Sequence, residues 1–355
     1  MPDAFTPPSW AAAAFTSKLV ALGQTASGGA VWRIADDPSD ATISDQFRAN
    51  AGDYHTRYAA SDHFEALFRQ TLAATGVELP IQPTILDLGS GSGVNSVVPC
   101  LRLFPGARIV ATDLSGELLA LLADDLDRLE ARDQVVCVVM DAMSEHVARG
   151  GFDLVTGAAI LHHLLRPDLG LRAAARALKP GGKAIFFEPF DGYNLLRLAY
   201  QRILAEAALR PEPLDPRIEA VLRALVADIA ARTEPDKTTA SFAAMDDKWL
   251  FSQERIQRMA KVQGFTSVEF VPHNDHPTLY RDIAQVQLRL ATGVDDLDLP
   301  AWMLAVFDDF DAALPLIVKR RMMLEGSIVL TRATQAAELD GYGAGTNLAS
   351  APLAG

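Results

Sequence analysis

From residue 84 onward, the hydrophobic and polar positions alternate between two patterns. Short runs rich in Val, Ile and Leu predict strands, and longer stretches with apolar residues three and four positions apart predict helices. The predicted strands are 84–88, 108–112, 135–140, 152–156, 183–187, 266–271 and 327–331, and the predicted helices between them are 94–104, 116–131, 168–178 and 252–263. This alternation favours an α/β fold with a doubly wound, mostly parallel seven-stranded sheet.

Two segments, after predicted strands five and six, are too long for bare loops. They contain helical patterns at 193–209, 216–231, 279–292 and 300–324. Because both strands end at the edge where open α/β sheets bind ligands, we predict helical cap insertions there. The predicted domains are an N-terminal arm (1–45), the core (46–190), a helical cap insertion (191–250), a continuation of the core (251–272), a second helical insertion (273–326), the last core strand (327–334) and a disordered tail (335–355).

The first core strand leads into a turn with glycines at alternate positions, and this turn is the strongest functional signal in the chain. Asp87 precedes the turn, and Gly89, Gly91 and Gly93 form it. The glycines allow a ligand to approach the backbone closely, and the following helix would offer free N–H groups. An acid before the turn suits a cationic ligand with an amino group better than a pyrophosphate. Asp113 ends the second strand, where a carboxylate can accept both hydroxyls of a ribose.

On these residues the chain resembles the class I S-adenosylmethionine (SAM)-dependent methyltransferases over roughly residues 50–190. The resemblance implies SAM as the cofactor, with Asp87 and the three glycines near its methionine part. It places Asp141 by the adenine amino group, with Ala142 next to it and Leu114 or Met143 against the ring. A helix N-cap is the other interpretation of Asp141.

Ahead of the first core strand, residues 11–22 predict a short helix, 30–34 a strand or no element, and 46–74 a helix. Tyr54 and Tyr58 lie within the last of these. The resemblance implies a lid over SAM here, in which Tyr58 would contact the cofactor and Tyr54 the substrate. Packing of both rings between helix and sheet is an equal alternative.

The candidate catalytic residues are histidines that follow predicted strands. His162 and His163 come after the fourth strand and His273 after the sixth. A histidine can serve as a general base because its pKa lies near neutrality, although a structural role is the alternative. His162 and His163 are adjacent in sequence, so we expect them to point in different directions.

Polar residues after predicted strands five and six are candidates for binding the substrate. They are Glu188 and Asp191 after the fifth strand and His276 after the sixth. Their alternative role is to cap loops. Ligation of a divalent metal by His273, His276 and Glu188 is less favoured, and we assign no metal.

The composition limits the partners. The net charge of −13 disfavours a nucleic-acid backbone. Cys100 and Cys137 fall in predicted core elements and predict buried free thiols in a reducing compartment. No apolar run is long enough for a membrane span and no basic region precedes the Ala-rich N-terminus, so the sequence predicts a cytoplasmic protein. Homodimer formation is left open.

The leading hypothesis is a SAM-dependent methyltransferase that acts on a small-molecule or lipid-linked acceptor by in-line displacement. A protein or peptide methyltransferase and a SAM-binding scaffold without turnover are the alternatives. A dehydrogenase is disfavoured, because Val94 stands where the dinucleotide fingerprint requires a small residue. The sequence does not choose among O-, N-, C- and S-methylation.

Overall fold

The computed structural model describes residues 6–25, 27–35, 62–237, 240–273 and 276–334. Tyr54, Tyr58, part of the predicted helix 46–74 and the predicted tail 335–355 lie outside these residues. The chain divides into two compact units. The first comprises the residues up to Glu188 with Glu254–Val271 and the strand residues from Ser327, and the second comprises Pro189–Gln253 and Pro272–Gly326.

The first unit is built on a nine-stranded sheet with the strand order β1-β2-β5-β4-β3-β6-β7-β9-β8. Strand β1 is antiparallel to β2, and the neighbours from β2 through β5, β4, β3 and β6 to β7 are parallel. The strands are β1 Leu19–Gln24, β2 Ala30–Ile34, β3 Thr84–Leu88, β4 Arg108–Asp113, β5 Val135–Val139, β6 Phe152–Ala158, β7 Leu178–Pro189, β8 Phe265–Pro272 and β9 Glu325–Arg332.

Helices connect these strands and share their core. They are α1 Ser9–Ala12, α2 His63–Thr75, α3 Val97–Leu103, α4 Gly116–Arg128, α5 Pro167–Ala177 and, continuing into this unit, α9 Gln253–Val262. Helix α4 shows why the sequence folds this way. The side chain of Ser115 accepts a hydrogen bond from the backbone N–H of Leu118 and so caps the helix. Leu119 and Leu122 on the buried face contribute about 2 kcal/mol each.

The prediction of seven strands is wrong, because the N-terminal region adds two. Residues 19–22, predicted as part of a helix, belong to β1, and 30–34 form β2. Strand β2 pairs with β5, as in Val31 opposite Cys137. The described part of the predicted arm is therefore part of the sheet. Only long-range pairing, which a local pattern does not encode, decides this placement.

The seven predicted core strands are all present, and their boundaries shift by a few residues. The largest shift is in β7, which begins at Leu178 and includes the predicted turn 179–182. Phe152 on β6 pairs with Leu178 on β7, and Leu154, two residues later, pairs with Lys183. The four residues 179–182 of β7 therefore bulge out of the ladder.

The second unit is helical. It contains α6 Tyr193–Ala207, α7 Pro216–Thr233, α8 Ala240–Ala243, α10 Leu279–Thr292, α11 Ala301–Ala313 and α12 Leu316–Arg321. These helices fall in the two segments predicted as insertions. Helices α6, α7, α10 and α11 share a core of their own that includes Tyr200, Leu222 and Phe307. That they cap a site stays a prediction.

Two composition-based expectations concern the described residues. Cys100 and Cys137 are both buried free thiols, as predicted. Across the described ranges, no helix is both long enough and apolar enough to cross a bilayer.

Candidate active site

The carboxyl ends of three parallel strands bring the glycine turn and two acidic residues to one edge of the sheet. Leu88 at the end of β3 lies opposite Thr112 on β4, and Asp113 lies opposite Val139 on β5. The backbone N–H of Met140 donates to the carbonyl of Asp113 over 2.9 Å. The turn after β3 and the loop after β5 therefore flank Asp113.

The glycine turn depends on positions that a side chain could not occupy. Gly89 has a φ of +67°, and a Cβ built on it would lie 2.5 Å from Cδ1 of Ile160. The backbone N–H of Gly91 donates to Oδ2 of Asp113 over 2.8 Å. The turn is thus packed against Ile160 on one side and tied to β4 on the other, which leaves its path little freedom.

Asp87 is fully buried at the start of this turn. Its Oδ2 accepts a hydrogen bond of 2.5 Å from Oγ of Ser96, and its carbonyl accepts one of 2.7 Å from Oγ1 of Thr112. Its Oδ1 has no hydrogen-bond partner among the described residues. Burial, and to a smaller extent the charge of Asp113, raise the pKa of Asp87 to about 7. An ionised oxygen in this position needs a donor from a ligand.

Two buried hydroxyls near Asp87 also have no partner in the described part of the chain. One is Oγ of Ser92, within the glycine turn, and the other is Oγ1 of Thr156. Thr156 lies on β6 directly opposite Asp87 on β3. Native proteins leave few buried polar atoms unsatisfied, so these atoms are candidates for contact with a polar ligand or water. A carboxylate acceptor and two hydroxyls fit the amino and carboxylate groups of SAM.

The residues predicted beside ribose and adenine lie at the same edge. Oδ1 of Asp113 accepts from the N–H of Ser115 over 2.8 Å, and burial raises the pKa of the Asp113 carboxyl. Leu114 is half-buried and Ala142 is buried. Oδ1 of Asp141 accepts from the N–H of Met143 over 2.8 Å, but a turn follows and not a helix, so the helix-cap alternative is wrong. The contacts of these residues with a cofactor stay predictions.

Glu188 at the end of β7 organises the turn after β6. Its Oε1 accepts from the backbone N–H groups of Ile160 (3.1 Å) and Leu161 (2.7 Å). Its Oε2 accepts from the N–H of His162 (3.2 Å) and lies 2.6 Å from the Nδ1 of the same residue. The Glu188 side chain is completely buried. Because four protein donors occupy the lone-pair sites of its two oxygens, Glu188 does not fit a metal site, and its predicted substrate contact is not what this geometry favours.

The two adjacent histidines lie together, which contradicts the expectation that they point apart. The ring centroids of His162 and His163 are 4.1 Å apart, with the planes tilted by 41°. Glu188 fixes the His162 ring from one side, and His163 lies against it. In the tautomer in which Nδ1 of His162 donates to Oε2 of Glu188, the lone pair of the ring is on Nε2.

The other predicted site residues belong to the second unit. The backbone N–H of His273 donates to the carbonyl of Glu325 over 3.1 Å. Nδ1 of His276 lies 3.4 Å from Oδ2 of Asp282 on α10. The N–H of Asp191 donates to the carbonyl of Phe251 over 2.9 Å. Their catalytic and substrate roles stay predictions.

Sequence reasoning missed three residues that shape the site. Ser96 and Thr112 bond to Asp87, and Ile160 fills the space beside Gly89. A serine in the first turn after a glycine motif is a local signal that could have identified Ser96. Thr112 and Ile160 contact the site through strand register, for which the sequence alone carries no signal.

The comparisons with known proteins agree with this geometry. Residues 86–186 match the family model of a methyltransferase domain. These residues run from β3, with the acid and the glycine turn, into β7. Residues 86–186 therefore form a methyltransferase domain.

Two of the relatives each match about a quarter of the chain. A ubiquinone biosynthesis O-methyltransferase of Xanthomonas oryzae pv. oryzae (strain PXO99A) is 41% identical over 102 residues, 28% of this chain and 40% of that protein. A release factor glutamine methyltransferase of Chlorobaculum tepidum is 37% identical over 89 residues, 24% of this chain and 30% of that protein. The chain thus spans less than half the length of either relative.

Among solved structures, phosphoethanolamine N-methyltransferase 2 of Haemonchus contortus, in complex with SAM, has a TM-score of 0.44 at 17% identity. That match covers 82% of this chain and 60% of the other.

Proposed function

We propose that the chain is a SAM-dependent methyltransferase that moves a methyl group to a small-molecule or lipid-linked acceptor by in-line displacement. The observation that carries the proposal is the buried Oδ1 of Asp87, which lacks a donor among the described residues at the start of the glycine turn. A ligand with a cationic amino group would satisfy it. The match of residues 86–186 to a methyltransferase domain supports the same conclusion.

In this proposal Asp87, Gly89, Gly91 and Gly93 hold the methionine part of SAM, and Asp113 the ribose. Leu114, Asp141 and Ala142 hold the adenine, and Tyr58 contributes from outside the described residues. When bound, SAM supplies a methyl group on a sulfonium that is already an activated leaving group. The protein then needs only to position the acceptor and to remove its proton where it carries one.

His162 is the residue best arranged to take that proton. Its Nδ1–H donates to the buried carboxylate of Glu188, which fixes the ring and stabilises the imidazolium formed when Nε2 accepts a proton. The turn that bears His162 contacts the glycine turn through Ile160. The roles of His163 and His273 in catalysis, and of Tyr54, Asp191 and His276 in binding the acceptor, remain parts of the proposal.

The acceptor class rests on weaker support. The net charge of −13 disfavours nucleic acid, and one relative is named for an O-methylation in ubiquinone biosynthesis. A cytoplasmic location and a homodimer are further predictions.

The first experiment is calorimetric titration with SAM and S-adenosylhomocysteine. We expect the wild type to bind both and Asp113→Ala to bind at least about tenfold more weakly, since the variant loses the carboxylate that anchors Gly91. Asp133→Ala, which removes an exposed carboxylate on the loop before β5, is the matched control and should bind as the wild type does. Failure of the folded wild type to bind either ligand would overturn the proposal.

The second experiment follows transfer of a labelled methyl group from SAM. Pools of small polar metabolites, lipid extract and unmodified protein are tested separately. Labelling of the first or second pool supports the proposed acceptor class, and labelling of protein alone would replace it with a protein methyltransferase. Binding without labelling of any pool would favour a scaffold. His162→Gln should keep SAM binding but lose transfer for an acceptor with a proton to remove, whereas the surface variant His63→Gln should lose neither.

A further inference from the structure

The N-terminal segment is bonded to the loop that follows β5. Phe15 and Val147 form an antiparallel bridge. Around it, the N–H of Thr16 donates to the carbonyl of His146 over 2.7 Å, and the N–H of Ala148 donates to the carbonyl of Ala14 over 2.8 Å. Oγ1 of Thr16 donates to the same His146 carbonyl over 3.0 Å. The two segments are therefore joined by main-chain pairing as well as by a side chain.

This contact is buried and firmly anchored. Phe15 is 7% exposed and Val147 only 1% exposed, so the bridge is part of the core and not a frayed end. Immediately after it the chain enters the β1–β2 hairpin. The N–H of Ala35 donates to the carbonyl of Lys18, and β2 is paired with β5. The segment thus connects the edge of the sheet to the loop.

The loop it holds is the one predicted to contact adenine. Residues 141–148 begin directly after Met140, which is bonded to Asp113, and include Asp141 and Ala142. They form no helix or regular strand of their own, and besides the N-terminal segment the side chain of Arg176 on α5 donates to the carbonyl of Val147. A loop of this kind keeps one conformation only if its backbone groups find partners elsewhere, and residues 14–16 supply these partners at its far end.

We infer that residues 14–17 are positioning residues of the cofactor site, which hold the loop 141–148 in the conformation that receives the adenosine part of the ligand. This inference rests on the proposed function. Its physical basis is preorganisation: a loop fixed before binding loses less conformational entropy when the ligand arrives. Ser17 adds to the contact through its Oγ, 3.3 Å from Nδ1 of His146.

The test compares two variants in the N-terminal hairpin. Thr16→Pro removes both hydrogen bonds to His146. Thr25→Val removes a hydroxyl that accepts a hydrogen bond from the N–H of Gly29 within the β1–β2 turn. This hydrogen bond does not involve the loop 141–148. We expect Thr16→Pro to weaken binding of SAM about tenfold and of 5′-methylthioadenosine, which lacks the amino-acid part, by the same factor. Thr25→Val should bind both as the wild type does. Equal affinity of Thr16→Pro and wild type would overturn the inference while leaving the proposed function intact.

A double-variant cycle separates positioning from general loss of structure. If the segment acts through the loop, Thr16→Pro combined with Asp141→Ala should bind SAM no more weakly than Asp141→Ala alone. Additive losses would show that the segment does not act through Asp141 and would refute the inference.

Hydrogen exchange on the unaltered protein keeps the inference testable if Thr16→Pro does not fold. Binding of SAM should slow exchange of the amides of Thr16 and Ala148 together with those of residues 141–145. Protection of the loop without protection of Thr16 and Ala148 would contradict the inference. No binding of SAM at all would instead refute the proposed function.

Discussion

Two turns at the same edge of the sheet, one after β3 and one after β6, are built in opposite ways. The turn after β3 follows Asp87, whose Oδ1 lacks a donor in the described chain, and it contains Ser92, whose hydroxyl also lacks a partner. The turn after β6 encloses a carboxylate from Glu188 that accepts from three backbone N–H groups and one imidazole. One oxygen of the Asp87 carboxylate has no donor among the described residues, whereas both oxygens of the Glu188 carboxylate accept hydrogen bonds.

The difference distinguishes a buried acid with an unsatisfied oxygen from one whose oxygens both accept hydrogen bonds. An unsatisfied buried polar group destabilises the unbound protein, so it is retained where binding satisfies it. A satisfied carboxylate holds the conformation of its surroundings. It can also hold strain: Ala159, a non-glycine residue, has a φ of +62° at the start of the second turn. Sequence reasoning treated Asp87 and Glu188 as two ligand-binding acids, whereas their hydrogen bonds separate them.

The largest effect is expected from a methyl group at the first turn. Gly89→Ala places a Cβ at positive φ and against Ile160, so backbone strain and overpacking together should cost about 4 kcal/mol of unfolding free energy. We expect SAM binding to be lost in calorimetry, because the turn must move to admit the methyl group.

Gly76→Ala is the matched control for that substitution. Gly76 has a similar φ of +62°, but a Cβ there would meet no atom within 4 Å. It should cost about 1 kcal/mol from strain alone and leave SAM affinity unchanged. If the two variants bind SAM equally well, the close packing of Ile160 on the turn is not needed for binding.

Glu188→Gln tests whether the hydrogen bonds accepted by the Glu188 carboxylate stabilise the turn after β6. The amide keeps one oxygen and turns an NH₂ group toward N–H donors, so buried donors lose their acceptor, and we expect a loss of about 3 kcal/mol in denaturant unfolding. Glu219→Gln breaks the exposed pair with Arg223 and should cost less than about 0.5 kcal/mol. Similar losses in the two variants would mean that Glu188 does not organise its turn.

Asp87 should make stability depend on pH. Its pKa of about 7 in the folded protein lies above its ordinary value of 3.8, so the folded state binds the proton more tightly than the unfolded state. The contribution of Asp87 to the stability of the folded state is fully present below about pH 4 and is lost as the pH rises to about 7. Denaturation of the unbound protein at pH 5 and pH 8 should therefore show a loss of about 2 kcal/mol that Asp87→Asn removes.

The affinity for SAM should depend on pH in the opposite direction to the stability of the unbound protein. A cationic amino group favours the ionised carboxylate, so binding of SAM should lower the pKa of Asp87 and release a proton. The affinity for SAM should accordingly increase from pH 5 to pH 8 in the wild type and change less in Asp87→Asn. An affinity that falls over this range in the wild type would be inconsistent with an ammonium group at Oδ1.

The smallest effect is expected at Thr156. Thr156→Val removes a buried hydroxyl that has no partner among the described residues, so the unbound protein should change by less than about 0.5 kcal/mol, while SAM affinity should fall a few-fold. Thr112→Val is the control, because its hydroxyl donates to the carbonyl of Asp87 over 2.7 Å and its loss should cost about 1 kcal/mol. Destabilisation at Thr156 equal to that at Thr112 would show that the Thr156 hydroxyl has a structural partner.

The sequence by itself determined those features that depend on neighbours along the chain. The predicted strand 84–88 has the bounds of β3, and Ser115 caps α4 from the position directly before it, because apolar period and capping are local properties. The glycine turn with its preceding acid was likewise evident, since it combines residue types at fixed spacing. These local signals sufficed to predict the class of fold and the cofactor.

Only the tertiary structure decided which polar groups are satisfied. The four donors that surround Glu188 come from residues 26 to 28 positions away in the chain, and β2 joins the sheet next to β5, about a hundred residues later. The difference between Asp87, with its unsatisfied oxygen, and Glu188, with its satisfied oxygens, follows from these long-range contacts. A hydrogen bond depends on distance and direction in space, and residue order alone specifies neither.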